Sequence, residues 1–200
     1  MTEYSFIALQ TLARENPQTF CRLPSSDILD VMRKYLQEKR LEIRKLHDSG
    51  ASGRRILRLC TELCDEIVRA GVSFGLASVS NPDVLLSRVA VCALGGYGRG
   101  EMSPESDVDV VLLYDGPMNA DLESLNGFLT TFFWDIGLHS GYSFHEVSSC
   151  VSLCAEDPRV HTSYLQSRVI LGDPATLGRL KLTLNSVEGE VRERVMRHVR

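Results

Sequence analysis

The chain has 200 residues, 44% of them hydrophobic and 24% charged, which suits one substantial soluble domain or one domain plus a helical appendage. Its net charge of −4 excludes a global attraction to the backbone of DNA or RNA, so no nucleic-acid partner is expected. No apolar run approaches the length of a bilayer crossing, and Met1-Thr2-Glu3-Tyr4 lacks the basic and then apolar start of a signal peptide; the expectation is a cytoplasmic protein without a membrane partner.

Residues 1–26 form a lead-in of weak periodicity, interrupted by Pro17 and Pro24, with room for one short helical turn. Ser26 or Asp27 can cap a helix running to about Leu46, because Ile28, Val31, Met32, Tyr35 and Leu36 keep the spacing of one buried stripe. His47 to Gly53 reads as a turn. Ser52 then caps a second amphipathic helix, about 54–70, with Gly71 as its expected end. Arg54, Arg55 and Arg58 cluster at its start and read as a solvated face.

Of the six cysteines, Cys60/Cys64 and Cys150/Cys154 stand four apart, which on a helix puts both thiols on one side. Structural zinc draws on tighter loop knuckles, often with histidine. Here the pairs lie in apolar helical patterns, where reduced cysteine acts as a small hydrophobe. Free thiols are expected.

Arg88 to Leu94 reads as a buried strand stopping at a glycine pair, followed by a glycine-rich turn with a short helix over Gly95–Glu105 and a second strand over Asp107–Tyr114. A helix from Asn119 to about Phe133 aligns Leu122, Leu125, Leu129, Phe132 and Phe133. Asp135 to His145 makes either a strand or a hairpin around Ser140-Gly141. Helices are expected around 146–156, 158–171 and from 186 to the end, where Val187, Val191, Val195 and Val199 draw a stripe that stops unfinished at Arg200. That pattern suggests a piece of a longer chain. The division expected is a lead-in (1–26), a catalytic core with its preceding helices (27–145) and a helical segment (146–200).

The chemistry concentrates between Gly95 and Val111. Residues i and i+2 of a strand share a face, so Asp107 and Asp109 are expected side by side among the core residues Val108, Val110 and Val111. Two such carboxylates repel unless a cation compensates, and hard divalent ions, above all Mg²⁺, suit oxygen ligands. Gly95, Gly96, Gly98 and Gly100 let backbone N–H groups approach an anion, and Arg99 adds a mobile charge for phosphate oxygens. A phosphate-binding turn on one strand and metal carboxylates on the next make a triphosphate–metal site. The P-loop lysine is missing, the alternating glycines are out of register for a dinucleotide fingerprint, and Asp-x-Asp replaces the strand lysine of a kinase.

The Gly95-Gly96 turn followed by Asp107-Val108-Asp109 resembles the nucleotidyltransferase superfamily that includes DNA polymerase β. Gly95 to Glu101 with Ser106 to Asp109 looks more closely like the N-terminal domain of the bacterial PII-protein uridylyltransferase/uridylyl-removing enzymes. His47 to Gly53, Trp134 to Leu138, Gly141 to His145, Thr162 to Arg168 and Gly172-Asp173 extend the resemblance over about residues 35–180. Two positions depart from it: those enzymes tend to carry arginine where His145 stands and glutamate where Gln166 stands. The resemblance implies an α/β fold of the polymerase-β type, with a small mixed sheet, flanking helices and a C-terminal helical segment. It also implies transfer of UMP from UTP to a tyrosine hydroxyl of a PII-type signalling protein. Two Mg²⁺ ions, with Mn²⁺ as a substitute, would be held by Asp107 and Asp109, and Gly95 and Gly96 would hold the β- and γ-phosphates. Ser106 either orients a phosphate or caps the start of the strand. The superfamily's third carboxylate falls on Asp135, which otherwise only ends a helix; Glu146 and Asp157 are the reserves. The donor base and acceptor follow from the resemblance alone. A nucleotidyltransferase moving AMP to a protein or small molecule, and a non-catalytic nucleotide-sensing module, remain the alternatives.

Overall fold

The computed structural model of the chain describes residues 4–185, so the helix expected from 186 onward lies outside them. In chain order the elements are helices α1 (Phe6–Glu15), α2 (Pro17–Phe20), α3 (Ser25–Asp48), α4 (Gly53–Leu76) and α5 (Pro82–Leu86), strand β1 (Val89–Ala93), helix α6 (Gly95–Gly98), strand β2 (Val108–Tyr114), helix α7 (Ala120–Asp135), strand β3 (Ser140–Glu146), helices α8 (Val147–Glu156) and α9 (Pro158–Leu165), and strand β4 (Arg168–Gly172). Residues 174–185 are again helical. The class is α/β: helices with one four-stranded mixed sheet in the order β3-β2-β1-β4.

The chain divides into two compact units, one of Met1–Leu85, Gly100–Val108 and Met118–Gly141, the other of Leu86–Arg99, Asp109–Pro117 and Tyr142–Arg200.

In the first unit α3, α4 and α7 supply the core. All five α7 residues on the expected apolar side are buried, and burying each such side chain contributes about 1.5–3 kcal/mol. Asn119 caps that helix, its side chain accepting from the Leu122 N–H at 2.9 Å. Two boundaries differ from expectation. Neither Ser26 nor Asp27 caps α3, which begins at Ser25 behind Pro24 with no side-chain cap. And α4 does not stop at Gly71 but continues to Leu76. Gly71 and Gly75 are notches, not an end: a Cβ on Gly71 would stand 2.7 Å from Cε1 of Phe132, and one on Gly75 2.7 Å from Cδ1 of Leu125. Their bareness lets α7 press its large side chains against α4. The lead-in is also more ordered than its sequence suggests, since Phe6, Leu9 and Ala13 bury one side of α1 and the Phe6 ring stacks on Tyr35 with centroids 3.9 Å apart.

The second unit holds nearly all of the sheet. Strand β1 runs antiparallel to β2 (Val91 opposite Leu112) and to β4 (Ala90 opposite Gly172). One face, formed by Ala90, Cys92, Leu94, Val111 and Leu113, is covered by Val147, Cys150 and Cys154 of α8, Tyr164 of α9, and Leu177, Leu180 and Leu184. The helix expected over 158–171 is thus corrected. It ends at Leu165, and Arg168–Gly172 pairs with β1 as the fourth strand, so the C-terminal segment is not purely helical. Gly172 fits that edge because a Cβ there would meet the Val89 carbonyl oxygen at 2.3 Å.

All six cysteines are free, and only Cys21 is exposed. Cys60 and Cys64 line a cavity of about 310 Å³ between α3, α4 and the segment Met102–Val108. Burial pushes Cys92 and Cys154 up to about 12 and raises Cys60 and Cys150. Because the thiolate is the reacting form, titration of the native protein with an aromatic disulfide at pH 7.5 (about one unit below an ordinary thiol's range) is expected to show one rapid thiol. The other five react on unfolding, and two or more rapid thiols in the folded protein would contradict the burial described.

Candidate active site

The site is built where β1 runs out. Leu94 is still extended, and its N–H donates to the Asp109 carbonyl at 3.0 Å, adding one rung to the β1–β2 ladder. Gly95 then turns with φ of +53°, a conformation open to glycine at little cost. The chain closes a single helical turn, with the Gly98 N–H on the Leu94 carbonyl at 2.8 Å and the Arg99 N–H on the Gly95 carbonyl at 3.1 Å. The first N–H groups of such a turn have no acceptor inside it. Gly95 and Gly96 are both half-exposed there. Tyr97 is buried beneath the loop, with the Arg168 guanidinium 5.2 Å above its ring centroid.

Asp109 is exposed although its neighbours Val108 and Val110 are buried, and strand alternation puts it on the same face as Val111 and Leu113. A Cβ built on Gly95 would lie 4.0 Å from Asp109 Oδ2. The carboxylate therefore stands directly beside the first residue of the glycine turn. A carboxylate is a donor of the kind Mg²⁺ prefers, so Asp109 is the residue nearest the turn that could hold one.

Asp107 is exposed and lies one residue ahead of β2, outside the strand in which it was expected. Ser106, also exposed, donates its hydroxyl to that of Ser103 at 3.0 Å, and its N–H goes to the Ser103 carbonyl at 3.2 Å; it closes a local turn leading into β2. Asp135 is the last residue of α7, exposed, with its backbone carbonyl accepting from Arg33 Nε at 2.8 Å. Among the described residues no group of three or more His, Cys, Asp or Glu side chains is gathered closely enough to hold a metal. Glu146 ends β3, and Asp157 caps α9 while pairing with Arg159 at 2.8 Å. His145, half-buried on β3, is held below the ordinary histidine range by desolvation, which favours its neutral form.

Arg99 is exposed, and its Nη1 donates to Oε1 of Gln166 at the end of α9. No sequence pattern points to this partner, 67 residues away. Gly98, read only as one more loop glycine, proves to be the tightest point: a Cβ there would sit 1.9 Å from the Gln166 carbonyl oxygen.

The DUF294 nucleotidyltransferase family matches residues 37–136, a stretch that contains the glycine turn, Asp107, Asp109 and Asp135. The bifunctional uridylyltransferase/uridylyl-removing enzyme of Phenylobacterium zucineum is 31% identical over 155 residues, covering 76% of this chain and 16% of that protein. The enzyme of the same name from Caulobacter vibrioides gives 31% over 156 residues with the same coverage, and that of Cupriavidus metallidurans gives 40% over 93 residues, 46% of this chain and 11% of the relative. Fold, loop and these likenesses together define a nucleotidyltransferase domain. The chain belongs to the DUF294 nucleotidyltransferase family. The matched stretches span about one-sixth or less of the relatives cited.

Proposed function

We propose that the domain transfers UMP from UTP to a tyrosine hydroxyl of a PII-type signalling protein, releasing pyrophosphate. The observation that carries the reading is the placement of the Asp109 carboxylate beside Gly95. Support for the uridylyl group comes from the names of the relatives, and for the acceptor from the motif resemblance alone. A cytoplasmic location fits this role; no helix among the described residues is long and apolar enough to cross a membrane.

In the reaction the acceptor oxygen attacks the α-phosphorus, the bond between that phosphorus and the bridging oxygen to the β-phosphate breaks, and the hydroxyl proton passes to a base or water. Bound Mg²⁺ supplies charge neutralisation and orientation of the phosphates. Asp107 and Asp109 serve as its ligands. The N–H groups of Gly95 and Gly96 hold the β- and γ-phosphates, Arg99 adds a guanidinium to their oxygens, and Ser106 shapes the turn that delivers Asp107. Asp135 is the candidate third carboxylate, as ligand or proton acceptor. Catalysis of this type is mostly positioning and electrostatics.

The test is turnover with labelled nucleoside triphosphates, Mg²⁺ and purified acceptors. Label from UTP is expected to appear on the PII-type protein and to vanish with EDTA. Preference for ATP would reassign the donor within the same chemistry. Metal-dependent nucleotide binding without transfer to any acceptor would turn the reading toward a sensing module.

A further inference from the structure

The glycine turn is gripped by residues where α9 passes into β4. The backbone carbonyl of Gln166 presses on Gly98, leaving no space for a Cβ. The Gln166 side chain takes the hydrogen bond from Arg99 Nη1. Arg168 lays its guanidinium over the ring of Tyr97. The junction is itself anchored: the N–H of the buried Ser167 donates to the Tyr164 carbonyl at 3.1 Å, its hydroxyl to the same oxygen at 2.5 Å, and Lys181 Nζ donates to the Ser167 carbonyl at 2.8 Å. A long, exposed arginine beside a phosphate loop samples many rotamers, and affinity for an anion falls with the fraction of time spent turned away. An acceptor fixed to that anchored junction narrows those rotamers.

We infer that Gln166 is a positioning residue, holding the Arg99 guanidinium at the C-terminal end of the glycine turn for the phosphates of the donor. Gln166 acts through Arg99 and touches no phosphate. The inference rests on the function proposed above, specifically on Arg99 as a phosphate ligand.

A double-mutant cycle tests it, read as the affinity of the purified chain for two probes with Mg²⁺, UTP and inorganic tripolyphosphate, by calorimetry. Gln166 is exposed, so Gln166→Ala is expected to leave the melting temperature unchanged. It is expected to weaken binding of both probes by roughly three- to tenfold, the net range of one solvent-exposed intramolecular hydrogen bond. Arg99→Met weakens binding by about tenfold or more. Adding Gln166→Ala to Arg99→Met changes nothing further, since interacting groups are non-additive. Equal losses from Gln166→Ala in both backgrounds would mean a merely structural residue and overturn the inference. So would a Gln166→Ala protein that binds like wild type while Arg99→Met binds weakly; the function reading then stands. If Arg99→Met binds like wild type, or wild type binds neither probe, the phosphate role falls and the inference with it.

Discussion

On the proposed function, replacing Asp107 or Asp109 by asparagine is expected to reduce nucleotidyl transfer by about 10³-fold or more, because a metal held there and its charge would supply much of the rate in phosphoryl chemistry. Each substitution keeps the size and removes one negative charge. Both side chains are exposed and neither fills the core, so folding should survive. Without metal Asp107→Asn should melt close to the wild-type temperature, since exposed substitutions usually change stability by no more than about 0.5 kcal/mol. A second readout covers the case in which this chain alone turns over slowly. With Mg²⁺ and UTP at a hundred times the dissociation constant, wild type gains about 2.7 kcal/mol by mass action, roughly a 5–10 °C rise for a chain of this size. Both variants should lose most of that rise. Variants that kept it in full would remove Asp107 and Asp109 from the metal site. Asp135→Asn, measured alongside, should follow the pair if it is the third carboxylate and follow wild type if it only ends α7.

Gly98→Ala is expected to destabilise the fold strongly for the single methyl group it adds. The added Cβ would lie 1.9 Å from the Gln166 carbonyl oxygen, 2.9 Å from its carbon and 3.0 Å from the Ala93 carbonyl oxygen. All three neighbours are backbone atoms, so no side chain can rotate away. Either the α9–β4 junction or the glycine turn must move by about an ångström, and overpacking of this kind costs about 1–3 kcal/mol or more. Gly127→Ala is the matched control. That residue lies inside α7, and a methyl group added there would have nothing within 4 Å, so alanine should stabilise by about 0.5–1 kcal/mol through helix propensity. Urea unfolding should give opposite signs for the two variants, and only Gly98→Ala should impair triphosphate binding. A neutral Gly98→Ala would mean the turn and the junction are not packed as described.

What could be read in the sequence was what is local in it. The stripes of α3 and α7, the run of β1 and the Asp-x-Asp at the entry to β2 each declare themselves within a few residues, and the glycine turn with Asp109 falls inside a single window of fifteen positions, Gly95–Asp109. What stayed hidden depends on distant partners. Gly71 carries the ordinary signature of a helix end, yet Phe132 explains why it lies mid-helix. Arg168-Val169-Ile170-Leu171-Gly172 follows a helical stretch and is too short to show a period of its own; only pairing with β1 makes it a strand. Gln166 stands out in the sequence only as a departure from the family's glutamate; its contact to Arg99 depends on that same pairing, which brings the end of α9 to the end of β1.

The position of β1 within the sheet has a dynamic consequence. It is flanked by β2 and β4, and every one of its five residues is fully buried, so its amides can exchange with water only when a large part of this unit opens. The glycine turn leaves directly from the end of that strand and is backed there by the Gln166 junction. Donor phosphates would thus meet a loop whose shape is already set, in the manner of a lock rather than a closing hand, and the entropy of ordering it belongs to folding, not to binding.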